Sequence, residues 1–253
     1  MNRAAADWFD DESLWAETFE YMFPDSSFES AREQVDDLIE LTGVQQGTLL
    51  DLGCGPGRHS VPFAVRGFQV TGVDITPFLM EKARAYADRE GVEIELVRQD
   101  MRRFIRPGAF DLALSMLTSF GYFDDPEENL QVLRNVHASL KPGGVFVFDT
   151  YGKEILAGIF EETGSKELPD GTLIVQRRHV IADWSQMENE WLHIKDEQVR
   201  RLRLRHWIYS GREFRDMLAA AGFAEIRLCG DLDGSPYDRK AVRLIAVGRR
   251  AAP

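Results

Sequence analysis

Three carboxylates and a run of glycines carry the chemistry that this sequence offers. Asp51-Leu52-Gly53-Cys54-Gly55-Pro56-Gly57 follows a short apolar run and precedes a helical pattern. Glycines between a strand and a helix let the backbone turn tightly and approach a ligand without a Cβ in the way. Asp74 stands at the end of the next apolar run, where a carboxylate can accept both hydroxyls of a ribose. Asp100 follows the third run. An acid two residues before the first glycine suits a ligand with a cationic amine and repels a pyrophosphate.

These residues need strands and helices to hold them. Thr48–Leu52, Gln69–Val73, Glu93–Val97, Asp111–Met116 and Val145–Asp149 read as strands. Helical patterns lie between them near 59–66, from Pro77 to Arg89, and from Asp125-Pro126 to Leu140. Strands alternating with helices at this spacing give a parallel sheet with right-handed crossovers. Before the first strand, 7–23 reads as a helix with Leu14, Trp15, Phe19, Met22 and Phe23 on one face, ended by Pro24. A second helix, near 28–42, stops at Gly43. After Asp149 the rhythm breaks. Residues 153–160 look helical and 164–171 read as a loop. Three strand-like runs, 172–182, 188–197 and 199–207, suggest an antiparallel meander. A helix at 211–221 and strands at 224–229 and 241–248 complete the pattern.

Two cofactor classes share the glycine loop. The nicotinamide fingerprint is G-x-G-x-x-G, with a pyrophosphate at the helix N-terminus. Here the spacing is G-x-G-x-G, and Arg58 stands where the third glycine of that fingerprint belongs. Together with Asp51, this favours an amino-acid-bearing nucleoside over a dinucleotide.

At these motifs the chain resembles the class I S-adenosylmethionine-dependent methyltransferases, closely over 45–150 and in topology over 211–250. Asp51, Gly53, Gly55 and Gly57 are similar to the family's first motif, which cradles the methionine part of the cofactor. Asp74 matches the ribose-binding acid, with Ile75 beside it. Asp100-Met101 matches the pair that meets adenine, and Leu140-Lys-Pro-Gly-Gly144 the turn before the fifth strand. Met116, at the end of the fourth strand, is expected at the methionine end. The resemblance implies an α/β, Rossmann-like seven-stranded sheet, mostly parallel with the last strand antiparallel, and an antiparallel β insert as a lid. The expected organisation is an N-terminal helical cap at 1–45, a cofactor-binding domain at 46–152 and 208–253, and an inserted lid at 153–207. The insert is similar in placement to that of the glycine and deoxyamino-sugar N-methyltransferases.

Methyl transfer from a sulfonium is an in-line displacement, in which the protein aligns the acceptor and excludes water. Tyr122 is the first candidate for orienting the acceptor. Tyr21 is the second, and His193 and His206 follow. Phe123 is expected beside Tyr122. Arg32 either pairs with the cofactor's carboxylate or forms a salt bridge with Glu29, Glu33 or Asp36. The five histidines show no metal-ligand spacing, so no metal is expected. Asn-Pro-Pro-Tyr, the pattern of many amino-methylating nucleic-acid enzymes, does not occur.

Composition bounds the rest. The 253 residues are 44% hydrophobic and 28% charged, enough for a buried core. The net charge of −12 argues against a general nucleic-acid binder. That acidity is concentrated, since residues 1–45 hold twelve acids and two bases. The cap is therefore expected to favour a cationic acceptor or to dock on the strand carrying Arg201, Arg203 and Arg205. Cys54 and Cys229 read as thiols in a reducing compartment. Neither a leader nor a run of about 20 apolar residues is evident, so a cytoplasmic protein is expected. The favoured activity is methyl transfer to a small molecule, with N-methylation preferred because of the insert. The alternatives are a protein or tRNA methyltransferase, a binding module without turnover, and a nicotinamide dehydrogenase. A homodimer through the exposed edge of the insert is a further expectation.

Overall fold

The computed structural model describes residues 5–252, with side chains from Trp8 onward. Residues 1–4 of the expected cap, and 253, lie outside the described residues. The strands are β1 (Thr48–Leu52), β2 (Gln69–Asp74), β3 (Glu95–Arg98), β4 (Phe110–Ser115), β5 (Leu140–Thr150), β6 (Thr163–Glu167), β7 (Leu173–Ile181), β8 (Gln186–Lys195), β9 (Gln198–Trp207), β10 (Ala224–Cys229) and β11 (Leu244–Arg249). The helices are α1 (Glu12–Met22), α2 (Asp25–Thr42), α3 (Ser60–Val65), α4 (Pro77–Glu90), α5 (Pro126–Ser139), α6 (Lys153–Ile159) and α7 (Gly211–Ala220).

Seven strands form one sheet in the order β10-β11-β5-β4-β1-β2-β3. β11 runs antiparallel to both β5 and β10, while β1 to β5 pair in parallel. Leu49, Leu50, Leu112, Ala113 and Leu114 are fully buried because helices cover both faces of the sheet. One face carries Phe214 and Leu218 of α7 and Leu133 of α5, with Phe148 and Phe214 stacked 3.8 Å apart. The other face carries Val35 and Leu38 of α2 and Phe63 of α3. The strand order reverses between β1 and β4, so a crevice opens at their carboxyl ends.

The insert is a four-stranded antiparallel sheet, β6-β7-β8-β9. The first half of the expected loop at 164–171 is therefore strand. β6 escapes pattern reading because Thr163-Gly-Ser-Lys-Glu167 is polar throughout and mostly exposed, held to β7 by its backbone ladder. Asp196 and Glu197 both have positive φ (48° and 65°), which suits a two-residue turn between β8 and β9.

The expected helix over 7–23 is also divided. A 3-10 turn covers Ala5–Asp10, and Asp11 caps α1 by accepting the backbone N–H groups of Ser13 and Leu14. α1 lies between the insert and α4, burying Leu14 and Trp15 against Trp191, Leu202, Leu204 and Leu79. Gly43 (φ 72°) ends α2 in the left-handed region, where a Cβ would strain the cap. β5 starts at Leu140, so the expected turn at 141–144 is part of the strand. No helix among the described residues is long and apolar enough to cross a membrane.

Candidate functional site

The crevice at the sheet switch point is a cleft lined in part by Phe9 of the 3-10 turn and by Trp15 and Met22 of α1. Asp51, Gly53, Gly55, Asp74, Ile75, Asp100, Met101, Met116 and Tyr122 all line it. The resemblance had grouped most of these residues, and the ends of β1, β2, β3 and β4 with the loops after them bring them together.

Asp51 points from β1 with only 3% of its surface exposed and accepts a hydrogen bond from Ser60 Oγ at 2.5 Å. Burial pushes its pKa up to about 6, and neighbouring Asp74 adds to the rise. Asp74 accepts the Gly55 N–H on Oδ2 at 2.8 Å and the Thr76 N–H on Oδ1 at 2.9 Å. Its burial also raises its pKa, against the pull of those amides. The glycine loop and the second carboxylate are thus one hydrogen-bonded unit.

A Cβ on Gly53 (φ 74°) would come within 2.8 Å of Ser119 Cβ. The loop approaches the β4 end too closely for any side chain there. Gly57 (φ 80°) plays a different part, since a Cβ there would meet Ala83 of α4 at 3.1 Å. It lies outside the cleft lining and serves helix packing.

Asp100 is gripped by Arg102, whose Nη2 lies 2.6 Å from Oδ2 and whose N–H reaches Oδ1 at 2.8 Å. Burial alone would raise the pKa of Asp100, but these bonds hold it below the usual carboxylate value. Arg102 also reaches Glu128.

Two expected residues lie elsewhere. Arg32 is half exposed and pairs with Glu90 at 2.9 Å, away from the cleft, because its face of α2 looks toward the end of α4. Neither its expected cofactor contact nor the local pairs with Glu29, Glu33 and Asp36 form. The cation that lines the cleft is Arg58. Its guanidinium lies 5.1 Å above the Phe23 ring, and no carboxylate among the described residues pairs with it. Burial lowers its pKa to about 10, with Asp51 and Asp149 opposing the fall. Its position directly after the glycine loop was the signal that could have found it.

Tyr21 packs edge-on against Trp191 at 5.7 Å, under the insert and outside the cleft lining. α1 turns Trp15 and Met22, seven residues apart, toward the cleft, and this rotates Tyr21 to the other flank. His193 and His206 are also buried there, and burial drives the pKa of His206 down to about 4. No cluster of potential metal ligands forms among the described residues.

Tyr122 donates its hydroxyl to the Thr118 carbonyl at 2.5 Å. Burial raises its pKa, and Asp74 adds to the effect. The turn it rests on is strained. Leu117 and Thr118 have φ of 55° and 66°, uncommon for residues with a branched side chain. Asp149 at the end of β5 holds them, accepting Leu117 N–H on its carboxylate and Thr118 N–H on its carbonyl. Arg243 neutralises Asp149 at 2.7 Å. Sequence reading missed this pair, which only the antiparallel placement of β11 beside β5 assembles.

Aromatic rings complete the cleft. Phe9 stacks on Tyr122 with centroids 6.0 Å apart and meets Phe123 edge-on at 5.7 Å. Trp8 lies 4.8 Å from Tyr122. The Phe9 carbonyl accepts hydrogen bonds from Trp15 Nε1 at 2.8 Å and Thr76 Oγ1 at 3.3 Å, which fixes the cap on the cleft.

A buried acid and a cation on the same glycine loop fit the ammonium and carboxylate of an amino-acid end. The second carboxylate, Asp74, bonded to Gly55 of that loop, fits a nucleoside. Residues 49–144 match the family described as methyltransferase domain. Residues 49–144 thus carry a methyltransferase domain of the S-adenosylmethionine-dependent kind, whose methyl donor is S-adenosylmethionine. The chain is similar to the ubiquinone biosynthesis O-methyltransferase of Caulobacter vibrioides, at 29% identity over 207 residues, covering 78% of this chain and 74% of that one. Among solved structures, the sugar N-methyltransferase KedS8 from a Streptoalloteichus species superposes with a TM-score of 0.68 at 25% identity, covering 93% of this chain and 92% of that one. The CcbJ methyltransferase from Streptomyces caelestis has the same fold, with a TM-score of 0.80 at 18% identity over 99% and 100% of the two chains. The chain spans 56% to 58% of the length of several other curated methyltransferases that it matches.

Proposed function

We propose that this protein methylates the nitrogen of a small-molecule amine. The carrying observation is the absence, among the described residues of the cleft, of a competent base on the acceptor side. Besides Tyr122, the titratable groups of the lining are Asp51, Cys54, Arg58, His59, Asp74 and Asp100, which stand on the glycine loop, its flanks and the ends of β2 and β3. His59 bonds Gln34, and burial pulls its pKa down to about 3. Tyr122 donates its hydroxyl hydrogen bond to the Thr118 carbonyl, and burial opposes its ionisation. A hydroxyl acceptor must lose a proton to become a good nucleophile, and a base normally takes it. An unprotonated amine needs none.

When bound, S-adenosylmethionine supplies a methyl group on a sulfonium sulfur, which keeps the carbon–sulfur electron pair as the acceptor's lone pair forms the new bond. Asp51 would hold the ammonium of the amino-acid end and Arg58 its carboxylate. Asp74 would accept the ribose hydroxyls, while Ile75, Asp100 and Met101 would face the base. Met116 and the Leu117–Ser119 turn would stand at the methionine end. Tyr122, its hydroxyl proton already engaged, offers lone pairs to an acceptor N–H and so aims the nitrogen. The proton released after alkylation passes to solvent. The N-methyltransferase name of KedS8 supports this reading; the Caulobacter relative supports O-methylation instead.

Radiolabelled methyl transfer to matched amines and phenols tests it. Transfer to amines, rising with pH as more free base is present, is expected. Transfer to phenols alone would refute it.

A further inference from the structure

We propose that the acceptor amine is carried on an apolar or aromatic body without phosphate groups, and that the N-terminal cap selects it through Phe9, Trp15 and Phe23. This rests on the N-methylation reading above and names its substrate class.

The cleft has two unlike walls. One is built of Phe9, Trp15, Met22, Leu79 and Phe123, and Phe23 joins it to the glycine loop, its ring 5.1 Å from the Arg58 guanidinium. None of these carries a charge. A phosphorylated or nucleotide-linked acceptor needs cations to replace its water, and arginine is the usual choice. Arg58 is the only lysine or arginine among the described residues that line the cleft, and it stands on the glycine-loop side. The arginines that β9 sends toward the cap and the Tyr122 loop are already matched. Arg200 pairs with Glu17 and lies 3.7 Å from Asp11, and its Nη2 bonds Ser13 Oγ at 2.8 Å. Arg205 pairs with Asp124 at 2.7 Å. Drawing either onto a phosphate would leave cap or loop carboxylates unpaired beside the new anion.

The same wall suits an apolar amine in three ways. Burying the body of the acceptor removes apolar surface from water. A dry, apolar surround disfavours the ammonium form and leaves the lone pair free. The ring faces then attract the positive charge that develops on nitrogen as it is alkylated. The ring set is also well held. Trp8 Nε1 donates to the Arg205 carbonyl at 3.3 Å, so the cap is tied to the insert as well as to Thr76.

The test is a transfer panel with tritiated methyl donor and the full chain. It contains 2-phenylethylamine, n-hexylamine, glucosamine, glucosamine 6-phosphate and 2-phenylethanol. The proposal expects kcat/KM for the two apolar amines to exceed that for glucosamine by about a hundredfold, the scale on which pockets discriminate. It expects still less transfer to the phosphate. Phe9→Ala should raise KM for 2-phenylethylamine about tenfold, with the cofactor dissociation constant kept. Trp15→Phe provides a second, milder variant should the first loosen the cap. Preference for glucosamine or its phosphate, or no transfer to either apolar amine, overturns the proposal. Transfer to 2-phenylethanol but not to its amine would leave the apolar wall standing and overturn the N-methylation reading instead.

Discussion

Around the cleft, the carboxylates at the strand ends are fixed by hydrogen bonds from residues near them in the chain, whereas the rings above them are fixed by one another and by a few long-range bonds. Asp74 is held by Gly55 and Thr76, both within a few residues of β1 and β2. Phe9 is held by Trp15, Thr76, Tyr122 and Phe123, from three separate places in the chain. A site built on strand ends is set by local motif spacing. One built on packed rings depends on how the cap and insert fold over it. The first suits an invariant ligand and the second a variable one.

Breaking the boundary between the two walls should have the largest effect. Asp149 and Arg243 are buried together and hold the strained Leu117-Thr118 turn that separates them. Arg243→Met leaves a buried carboxylate unpaired and should cost about 3–5 kcal/mol of stability, read by urea denaturation. Next, Asp74→Ala removes the acceptor for the loop and for a ribose, and should weaken the cofactor about 10- to 100-fold in calorimetry. Asp51 gives a pH signature. With its pKa near 6, it is ionised above that pH and protonated below. Cofactor affinity should therefore fall about tenfold from pH 7.5 to pH 5, and Asp51→Asn should flatten that dependence. The smallest effect concerns the cap contact. Arg200→Ala breaks a partly exposed pair with Glu17 and should cost less than about 1 kcal/mol, diminishing with salt.

That contact also corrects the reading of the acidic front. The front was expected to favour a cationic acceptor or to dock on the strand carrying Arg201, Arg203 and Arg205. Alternation along β9 puts Arg201 and Arg203 on the outer face, where both meet Glu190 of β8, and Arg205 meets Asp124. Arg200, one register away, faces the cap. The cap docks on this strand through the Arg200 side chain and the Arg205 carbonyl rather than through the Arg201 and Arg203 side chains.

The polar wall was legible because its residues sit next to the features that position them. Asp51, Gly53 and Gly55 share one loop, and Asp74 and Asp100 each end or follow an apolar run. The parallel sheet brings those ends together without further information. The aromatic wall was not legible in the same way. Trp15, Phe19 and Phe23 read as one helical face, but the break at Asp11 and the turn of Phe9 onto Tyr122 come from tertiary contacts. Tyr21 was misplaced because a helix that contacts two surfaces has two apolar flanks. Arg32 was chosen as a lone base in an acidic segment, although Glu90, far away in sequence, takes it. β6 was missed because an edge strand can be polar on both faces.

The separation of the two walls is tested most directly by titrating S-adenosylmethionine calorimetrically into Asp51→Asn and Phe9→Ala alongside the unaltered protein. The account predicts at least about tenfold weaker binding for Asp51→Asn at pH 7.5, where a charge-assisted contact is lost, and binding within about twofold of the unaltered protein for Phe9→Ala. Equal losses in both, or a loss confined to Phe9→Ala, would contradict it.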